Sequence, residues 1–544
     1  MTHLCVALAV DGAGELEQAI AAAARAAEQG ATMVEWRVDA LAEEPGAAAA
    51  IRTLVERSPL PCIVTIRGAR EGGEYHGADT DRVSLLEALC TGDGPAPSFI
   101  DFELADYERS ANLRQKVDLC VAHPAQQRPA TTRLILSAHD FQGRPPTLAR
   151  QVAAMAQAPA CAVAKLAWRA RSVRDCVEAF ELLRERHRPT IALCMGEAGL
   201  ATRVLAPKFG AFLTFARGDL PGEGTAPGQP TVRELVEEYG FGRIGPRTLV
   251  YGVVGWPVAH SQSPRTHNAW LRESGADAVY LPLPVPPEYE HFKATLLELL
   301  GYAPLDLRGL SVTLPHKEHL VRLVREQGGV VEPIAQRIGA ANTLVVAADG
   351  SLRCTNTDAP AALQALAQGM GIEPAALAGK RVAVLGAGGV ARAVAAGLAD
   401  AGARVVVVAR THERAQRMAE ELQAAGAGAD GGAGAAGAST SPRGQIVAGR
   451  TDALACGCFH AFVNCTPVGM EGGPDPTGSP LPDDVALDDT VTVMDTVYAP
   501  RETPLLREAR SRGARTVDGW SMFLAQARMQ FDRWAAERAA AGAR

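Results

Sequence analysis

From residue 1 to about 240 the chain repeats one pattern, a short apolar, β-rich run followed by an Ala/Leu/Glu/Arg-rich stretch. Eight such runs occur: Leu4–Val10, Thr32–Val38, Cys62–Ile66, Phe99–Glu103, Leu134–Ser137, Ala162–Leu166, Ile191–Cys194 and Phe212–Phe215. Parallel strands are buried on both faces and joined by helical crossovers, so they read as continuous apolar runs at a regular interval. Eight strands with helices between them predict a closed (β/α)8 TIM barrel. Glu35, Arg37, Arg67, Glu103, His139 and Lys165 fall within or just past the carboxyl halves of the runs, where a barrel keeps its active site.

Near Phe241–Thr248 the helical pattern stops, and a new strand starts at Leu249–Val254. The expected organisation is a barrel over residues 1–240, a two-lobed module from residue 247, and a dinucleotide-binding (Rossmann) domain over 375–518. The lobe at 247–358 is completed by a C-terminal helix at 520–544. Residues 424–441 are almost wholly Gly, Ala, Ser and Thr, a composition that buries too little apolar surface to order itself, so a flexible insertion is expected there.

The 544 residues are 47% hydrophobic and 21% charged with a formal net charge of -7, which disfavours nucleic acid and anionic membrane as partners and leaves small molecules. Eleven cysteines show no zinc-ligand or CxxC spacing, the closest pair being Cys456 and Cys458. Buried thiols in a reducing compartment are expected, without bridges and with no metal site. No apolar run reaches membrane-spanning length, and the stretch Cys5–Val10 is too short for a signal peptide. A soluble intracellular protein is expected, cytoplasmic if bacterial, or in the plastid stroma if a transit peptide has been removed. The chain is compatible with a monomer.

Lys165 stands inside the apolar run Val163-Ala164-Lys165-Leu166-Ala167. A buried ammonium is costly unless it is paired or functional, so the residue alone fits either a structural ion pair or an imine-forming amine. His139-Asp140 ends the preceding run. An imidazole beside an imine can remove the proton that the imine acidifies, and the pair makes an elimination site. Asp39 and Glu103 read as partners that tie down Arg37 or other barrel cations, and Cys194 and Met195 as core.

The first 235 residues resemble type I 3-dehydroquinate dehydratase. The matching elements are Glu35-Trp36-Arg37-Val38-Asp39, Arg67 with Glu71-Gly72-Gly73, Ser137-Ala138-His139-Asp140-Phe141, Lys165-Leu166-Ala167, Met195-Gly196 leading to Arg203, and Ala226-Pro227-Gly228-Gln229. The resemblance implies that Lys165 forms the imine, His139 is the general acid/base and Glu71 orients it. It also implies that Arg203 holds the substrate carboxylate and that Glu35, Arg37 and Arg67 hold hydroxyls or carboxylate. Thr225, where the family has serine, and Gln229 would sit on a lid loop.

In the second half, Arg381–Leu385 leads into Gly386-Ala387-Gly388-Gly389-Val390-Ala391 and an Ala-rich helix. Such a turn lets backbone N–H groups reach a pyrophosphate, although an ordinary tight turn also uses glycines. The next strand ends in Ala409-Arg410-Thr411, with Arg414 following. Arginine suits a 2′-phosphate where an acid would suit the ribose hydroxyls of NAD, so NADP is favoured over the reading of a solvated helix start. Upstream, His260-Ser261-Gln262-Ser263-Pro264 opens a helix as a small anion cradle, and Lys317 and Asp358 in isolation fit a structural ion pair.

With Ser311-Val312-Thr313-Leu314-Pro315-His316-Lys317, Ala341-Asn342-Thr343, Asn356-Thr357-Asp358 and Asn464-Cys465-Thr466-Pro467-Val468-Gly469-Met470, the chain from about Tyr251 onward resembles shikimate dehydrogenase. The resemblance implies that Ser261 and Ser263 bind the substrate carboxylate and that Thr313, Asn342, Asp358 and Gln526 hold ring hydroxyls. Lys317 with Asp358 would move the proton. Ser311, Thr357 and Tyr498 would line the pocket, while Thr466 and Gly519 join the glycine loop around NADP. Two positions depart from the family, Ala409 for asparagine and Ala361 for glycine.

In this order the halves resemble the fused dehydratase–dehydrogenase enzymes of aromatic amino-acid biosynthesis. That implies dehydration of 3-dehydroquinate to 3-dehydroshikimate and NADPH-dependent reduction to shikimate. The alternatives are quinate oxidation with NAD, which Ser311, Thr357 and Arg410 disfavour, and a metabolite sensor without turnover. A sensor should have lost a catalytic residue, yet Lys165, His139, Lys317 and Asp358 are all present.

Overall fold

Eight strands occupy the eight expected positions: β1 His3–Ala9, β2 Met33–Arg37, β3 Cys62–Thr65, β4 Phe99–Glu103, β5 Arg133–Asp140, β6 Cys161–Arg169, β7 Thr190–Met195 and β8 Leu213–Ala216. The computed structural model describes residues 1–91, 94–122, 131–219, 228–429, 443–456 and 458–542. The strands form one sheet in the order β7-β6-β5-β4-β3-β2-β1-β8, and the barrel seam is bridged where Phe212 N–H donates to the Thr190 carbonyl at 2.8 Å.

Side chains alternate between the faces of a strand, and here the inward set changes character along each strand. Met33, Ile63, Phe99, Ile135 and Val163 belong to the apolar plug of the barrel interior. Two residues further along lie Glu35, Thr65, Asp101, Ser137 and Lys165, all buried. One pleat therefore separates an apolar floor from a polar site. Register brings the polar layer together, with Thr65 opposite Asp101 and Ser137 opposite Lys165.

The chain forms two compact units. The first holds Met1–Val253 with Pro257–Pro286 and Ala294–Leu307, so the barrel carries part of the sequence beyond residue 245. There β9 (Leu249–Gly255) neighbours β10 (Ala278–Pro284). The helix Ser263–Glu273 is fastened to β10 by a reciprocal pair of 2.8 Å bonds between the Asn268 amide and the Tyr280 backbone. Lys208, buried, donates to the Pro246 and Thr248 carbonyls at 3.1 and 2.8 Å and to Asp306 at 3.0 Å.

The second unit holds Val254–Trp256, Pro287–Lys293 and Arg308–Arg544. One layer runs in the order β11 (Leu307–Val312), β13 (Thr343–Val346), β14 (Leu352–Thr355), β12 (Val330–Val331). The other is a parallel six-stranded sheet in the order β17-β16-β15-β18-β19-β20. Its strands are β15 Arg381–Leu385, β16 Arg404–Val408, β17 Ile446–Gly449, β18 Ala461–Asn464, β19 Thr492–Asp495 and β20 Arg515–Val517. That order reverses between β15 and β18, which is where a doubly wound sheet opens a ligand crevice. The last helix, Gly519–Gly542, returns to the first layer through Trp534 Nε1, which donates to the Leu344 carbonyl at 3.0 Å.

Two expectations are corrected. Residues 424–429 are not loop but the end of the helix His412–Ala429, because alanines continue a helix at little entropic cost; the remainder of the expected insertion, 430–441, lies outside the described residues. Cys456 and Cys458 are joined by a disulfide, against the expectation of unbridged thiols. The local geometry brings their Cα atoms to 5.4 Å, within disulfide reach. The other nine cysteines are not in disulfides.

Two candidate active sites

Lys165 is 5% exposed, and its Nζ donates to Asp101 Oδ2 at 2.8 Å and to Glu35 Oε1 at 3.3 Å, with the Phe215 ring centroid 4.6 Å away. Asp101 Oδ1 accepts from Arg67 at 2.8 Å and from Ser137 Oγ at 2.6 Å, and Arg67 also reaches Ser137 at 2.7 Å. Burial alone would raise the Asp101 carboxyl, but Arg67 and Lys165 reverse that and hold it below the usual carboxylate range. Glu35 also accepts from Thr65 at 2.8 Å, while Arg37 is paired with Asp39 at 2.6 Å. Glu103 pairs with Arg82 at 2.8 Å.

His139 is the penultimate residue of β5, and Glu71 Oε2 lies 3.0 Å both from its backbone N and from Nδ1. Burial, then the Arg67 and Lys165 cations, drive the imidazole well below its ordinary value, so it rests neutral. Burial raises the Glu71 carboxyl to about 7, against the pull of Arg67. With Glu71 accepting from Nδ1–H, Nε2 keeps the lone pair that a base needs.

Arg203 is 1% exposed with no carboxylate partner among the described residues. Its guanidinium donates to the Phe215 carbonyl at 3.4 Å, and Nε has no partner there. Burial lowers its pKa to about 10. A desolvated guanidinium of this kind suits an incoming carboxylate. Gln229 is buried and its carbonyl accepts from Arg217 at 3.2 Å; Thr225 lies outside the described residues.

In the first unit Ser261 and Ser263 sit at the start of the helix Ser263–Glu273, where Ser263 N–H donates to Ser261 Oγ at 3.3 Å. In the second unit Lys317, the first residue of its helix, is buried and donates to Asp358 Oδ2 at 2.7 Å. Its methylenes border Gly389, where an added Cβ would lie 3.4 Å from Lys317 Cδ. Asn342 Nδ2 donates to Thr357 Oγ1 at 2.9 Å and to Gln526 Oε1 at 3.3 Å. Thr313 follows β11, and its N–H donates to the Val254 carbonyl at 2.9 Å. Ser311 turns instead to Gln530, donating to Oε1 at 2.7 Å. Tyr498 packs on Phe523 with ring centroids 5.0 Å apart, and burial raises its phenol.

The glycine loop fits a dinucleotide. Gly386 adopts φ +115 and donates to the Val408 carbonyl at 2.7 Å; a Cβ there would lie 3.0 Å from the Cys465 carbonyl. A Cβ on Gly388 would meet open space. Ala387 and Val390 are partly buried, Ala391 is fully buried, and the helix Gly389–Asp400 presents its unbonded N–H groups. Among the described residues neither the Arg410 nor the Arg414 guanidinium is held by a hydrogen bond or ion pair, and the Thr411 carbonyl closes the turn between them by accepting from Arg414 N–H at 3.1 Å. Thr466 is fixed by Asn464, whose Oδ1 accepts from Thr466 Oγ1 at 2.7 Å, and Gly519 lets the backbone of the last helix approach the Val497 carbonyl.

Asp101, Ser137 and Gln530 were not anticipated as site residues. Asp101 had a readable signal: in Phe99-Ile100-Asp101-Phe102-Glu103 two acids lie two apart, on one face of an otherwise apolar strand.

A buried lysine beside a neutral imidazole, and a lysine–aspartate pair bordering a dinucleotide loop, define a two-centre enzyme. Residues 4–245 match the type I 3-dehydroquinase family, 253–344 the shikimate dehydrogenase substrate binding domain, and 369–429 the shikimate / quinate 5-dehydrogenase family. The chain is 34% identical over 538 residues to the chloroplastic bifunctional 3-dehydroquinate dehydratase/shikimate dehydrogenase of Arabidopsis thaliana, covering 96% of this chain and 80% of that one. Its second half is 42% identical over 289 residues to the NADP(+) shikimate dehydrogenase of Paramagnetospirillum magneticum, covering 53% of this chain and 92% of that protein. A solved shikimate 5-dehydrogenase from Thermus thermophilus, in complex with NADP(H) and shikimate, is 35% identical with a TM-score of 0.43, over 53% of this chain and 94% of that one. The chain belongs to the family of bifunctional 3-dehydroquinate dehydratase/shikimate dehydrogenases. It is a lyase and an NADP-dependent oxidoreductase in one polypeptide.

Proposed function

We propose that the two centres act in sequence with the following division of labour. Lys165 condenses with the ring ketone of 3-dehydroquinate, releasing water and forming an imine that acidifies the neighbouring C–H. His139, neutral and oriented by Glu71, takes that proton and returns one to the departing hydroxyl, so a second water leaves. Hydrolysis of the imine frees 3-dehydroshikimate and restores Lys165. Arg203 holds the carboxylate, Glu35, Arg37 and Arg67 orient hydroxyls, and Thr225 and Gln229 bind the substrate.

In the dehydrogenase part, NADPH when bound supplies the hydride. Lys317, paired with Asp358, gives a proton to the oxygen that was the ketone, and Asn342, Thr313, Thr357 and Gln526 orient ring hydroxyls. Ser261 and Ser263 bind a carboxylate, and Arg410 and Arg414 select the 2′-phosphate. We place the enzyme in a bacterial cytoplasm or a plastid stroma, with small molecules as partners and a monomer sufficient for both reactions. The Rossmann domain spans 375–518 and the substrate lobe 247–358.

The observation that carries the reading is the buried Lys165 amine on the strand next to a neutral His139. Borohydride added with 3-dehydroquinate should attach a ligand-sized mass to the peptide containing Lys165. Labelling confined to other peptides would refute the imine.

A further inference from the structure

We propose that Gln530 is a positioning residue of the reducing site, fixing which end of the Asn342 amide faces the substrate. Gln530 is 2% exposed on the helix Gly519–Gly542. Its Oε1 accepts from Ser311 Oγ at 2.7 Å, so Nε2 is the end turned to β13, where it donates to the Asn342 carbonyl at 2.9 Å and to Thr343 Oγ1 at 3.0 Å. A hydroxyl has one proton, and with its oxygen accepting from Gln530 the Thr343 proton goes to Asn342 Oδ1 at 2.8 Å. The Thr357 backbone N–H, which can only donate, reaches the same Oδ1 at 2.9 Å.

The Thr343 hydroxyl and the Thr357 backbone N–H therefore claim Asn342 Oδ1, with the Thr357 hydroxyl a longer third neighbour at 3.2 Å, leaving Nδ2 to point at Thr357 Oγ1 and Gln526 Oε1. Gln526 is oriented compatibly, since its own Nε2 donates to the Phe523 carbonyl at 3.1 Å. Asn342 thus presents N–H donors, and a substrate hydroxyl that displaces the longer 3.3 Å contact to Gln526 is received as an acceptor. Of the two nearer donors on Oδ1, the backbone one is built in, whereas the Thr343 hydroxyl can rotate and takes its direction from Gln530. Buried chains of this kind act as a unit, each bond polarising the next. Ser311 then acts on the substrate through Gln530, as the group that orients the Gln530 amide, and not as a wall of the pocket.

The inference rests on the assignment of Asn342 to a ring-hydroxyl contact, and the experiment separates the two. In the full-length chain, Gln530→Met keeps the side chain's length and removes every bond, while Gln530→Glu keeps the acceptor for Ser311 and removes the Nε2 donors. Both should raise KM for shikimate roughly 5- to 30-fold, with kcat changed less than about threefold and KM for NADP unaltered. The retained kcat and the unaltered KM for NADP report folding of the unit that holds Gln530, and dehydratase activity reports the barrel. Ser311→Ala is the milder variant and should shift KM in the same direction.

The decisive arm adds each change to Asn342→Ala. If Gln530 works through Asn342, Gln530→Met has no further effect on KM in that background. Additive losses, or an unchanged KM in all three single variants at positions 530 and 311, would overturn the inference while leaving the Asn342 assignment standing. An unchanged KM in Asn342→Ala itself would remove that assignment and the inference with it.

Discussion

Lys165 and Lys317 are the same side chain at nearly the same exposure, 5% and 7%, yet they are embedded differently. Lys165 faces two carboxylates, and the nearer, Asp101, is shared with Arg67 and Ser137. Lys317 faces one, and Asp358 has Lys317 as its side-chain partner while its own backbone N–H goes to Asn356 Oδ1 at 3.0 Å. The barrel lysine is a node in a circuit, and the dehydrogenase lysine is half of a pair. A group that must form and release a covalent bond is held from several sides, whereas a proton carrier needs one acid and an open path to its ligand.

The sharpest way to break this comparison is to exchange the losses. Lys165→Ala should lower dehydration by at least about 10⁴-fold, as removal of a covalent nucleophile does, with reduction of 3-dehydroshikimate unchanged. Lys317→Ala should do the reverse, lowering reduction by about 10²- to 10⁴-fold and sparing dehydration. Separate steady-state assays with each half's own substrate measure both, and any variant that damages both reactions equally would show that the centres are not independent.

Stability should divide the two lysine environments next. Asp101→Asn removes the nearer carboxylate of buried Lys165 and that of buried Arg67 together, leaving Glu35 at 3.3 Å and Glu103 at 3.7 Å, and should cost about 3–5 kcal/mol. Asp358→Asn strands Lys317 alone and should cost about 1–3 kcal/mol. Denaturant titration of both variants, followed by barrel and dehydrogenase probes separately, gives the ranking, and equal costs would dissolve the circuit-against-pair distinction.

Arg410→Ala should raise KM for NADPH roughly 10- to 150-fold, the equivalent of one charge-assisted bond, and leave KM for NADH nearly unchanged. Equal losses with both cofactors would remove Arg410 from 2′-phosphate recognition.

The smallest effect concerns Glu71, whose carboxyl is raised from 4.5 to about 7 chiefly by burial. A raised carboxyl favours the folded state while it is protonated, so its contribution is fully present below 4.5 and is lost as pH rises through about 7. Glu71→Gln should therefore gain stability relative to wild type across that window, on the order of 1 kcal/mol. Melting curves between those pH values test it; a difference independent of pH would contradict the raised carboxyl.

The barrel was legible because its strands are largely buried on both faces and so read as mostly apolar runs, and Lys165 was legible as a charge interrupting one. Asp101 was not, because Phe99–Glu103 is equally well explained as core with acids tying down cations, which Glu103 does for Arg82. The glycine loop announced itself as glycines between an apolar strand and an Ala-rich helix, and φ +115 at Gly386 leaves few other residues there. Gln530 gave no sign, being one amide on a long helix whose meaning depends on Ser311 and Thr343 about 200 positions earlier. The boundary near residue 245 marks a change of pattern but not of packing, because Lys208 of the barrel holds Pro246, Thr248 and Asp306 beyond it.

The central claim is that one chain carries two complete centres used in order, and a staged absorbance experiment tests it most directly. Given 3-dehydroquinate alone, the wild-type protein should build up the conjugated enone with no nicotinamide change; NADPH added afterwards should be oxidised mole for mole as the enone disappears. Lys165→Ala should be silent in this assay until 3-dehydroshikimate is supplied, and should then oxidise NADPH at the wild-type rate. Oxidation of NADPH by Lys165→Ala from 3-dehydroquinate, or an enone that forms and is never consumed by the wild type, would contradict the account.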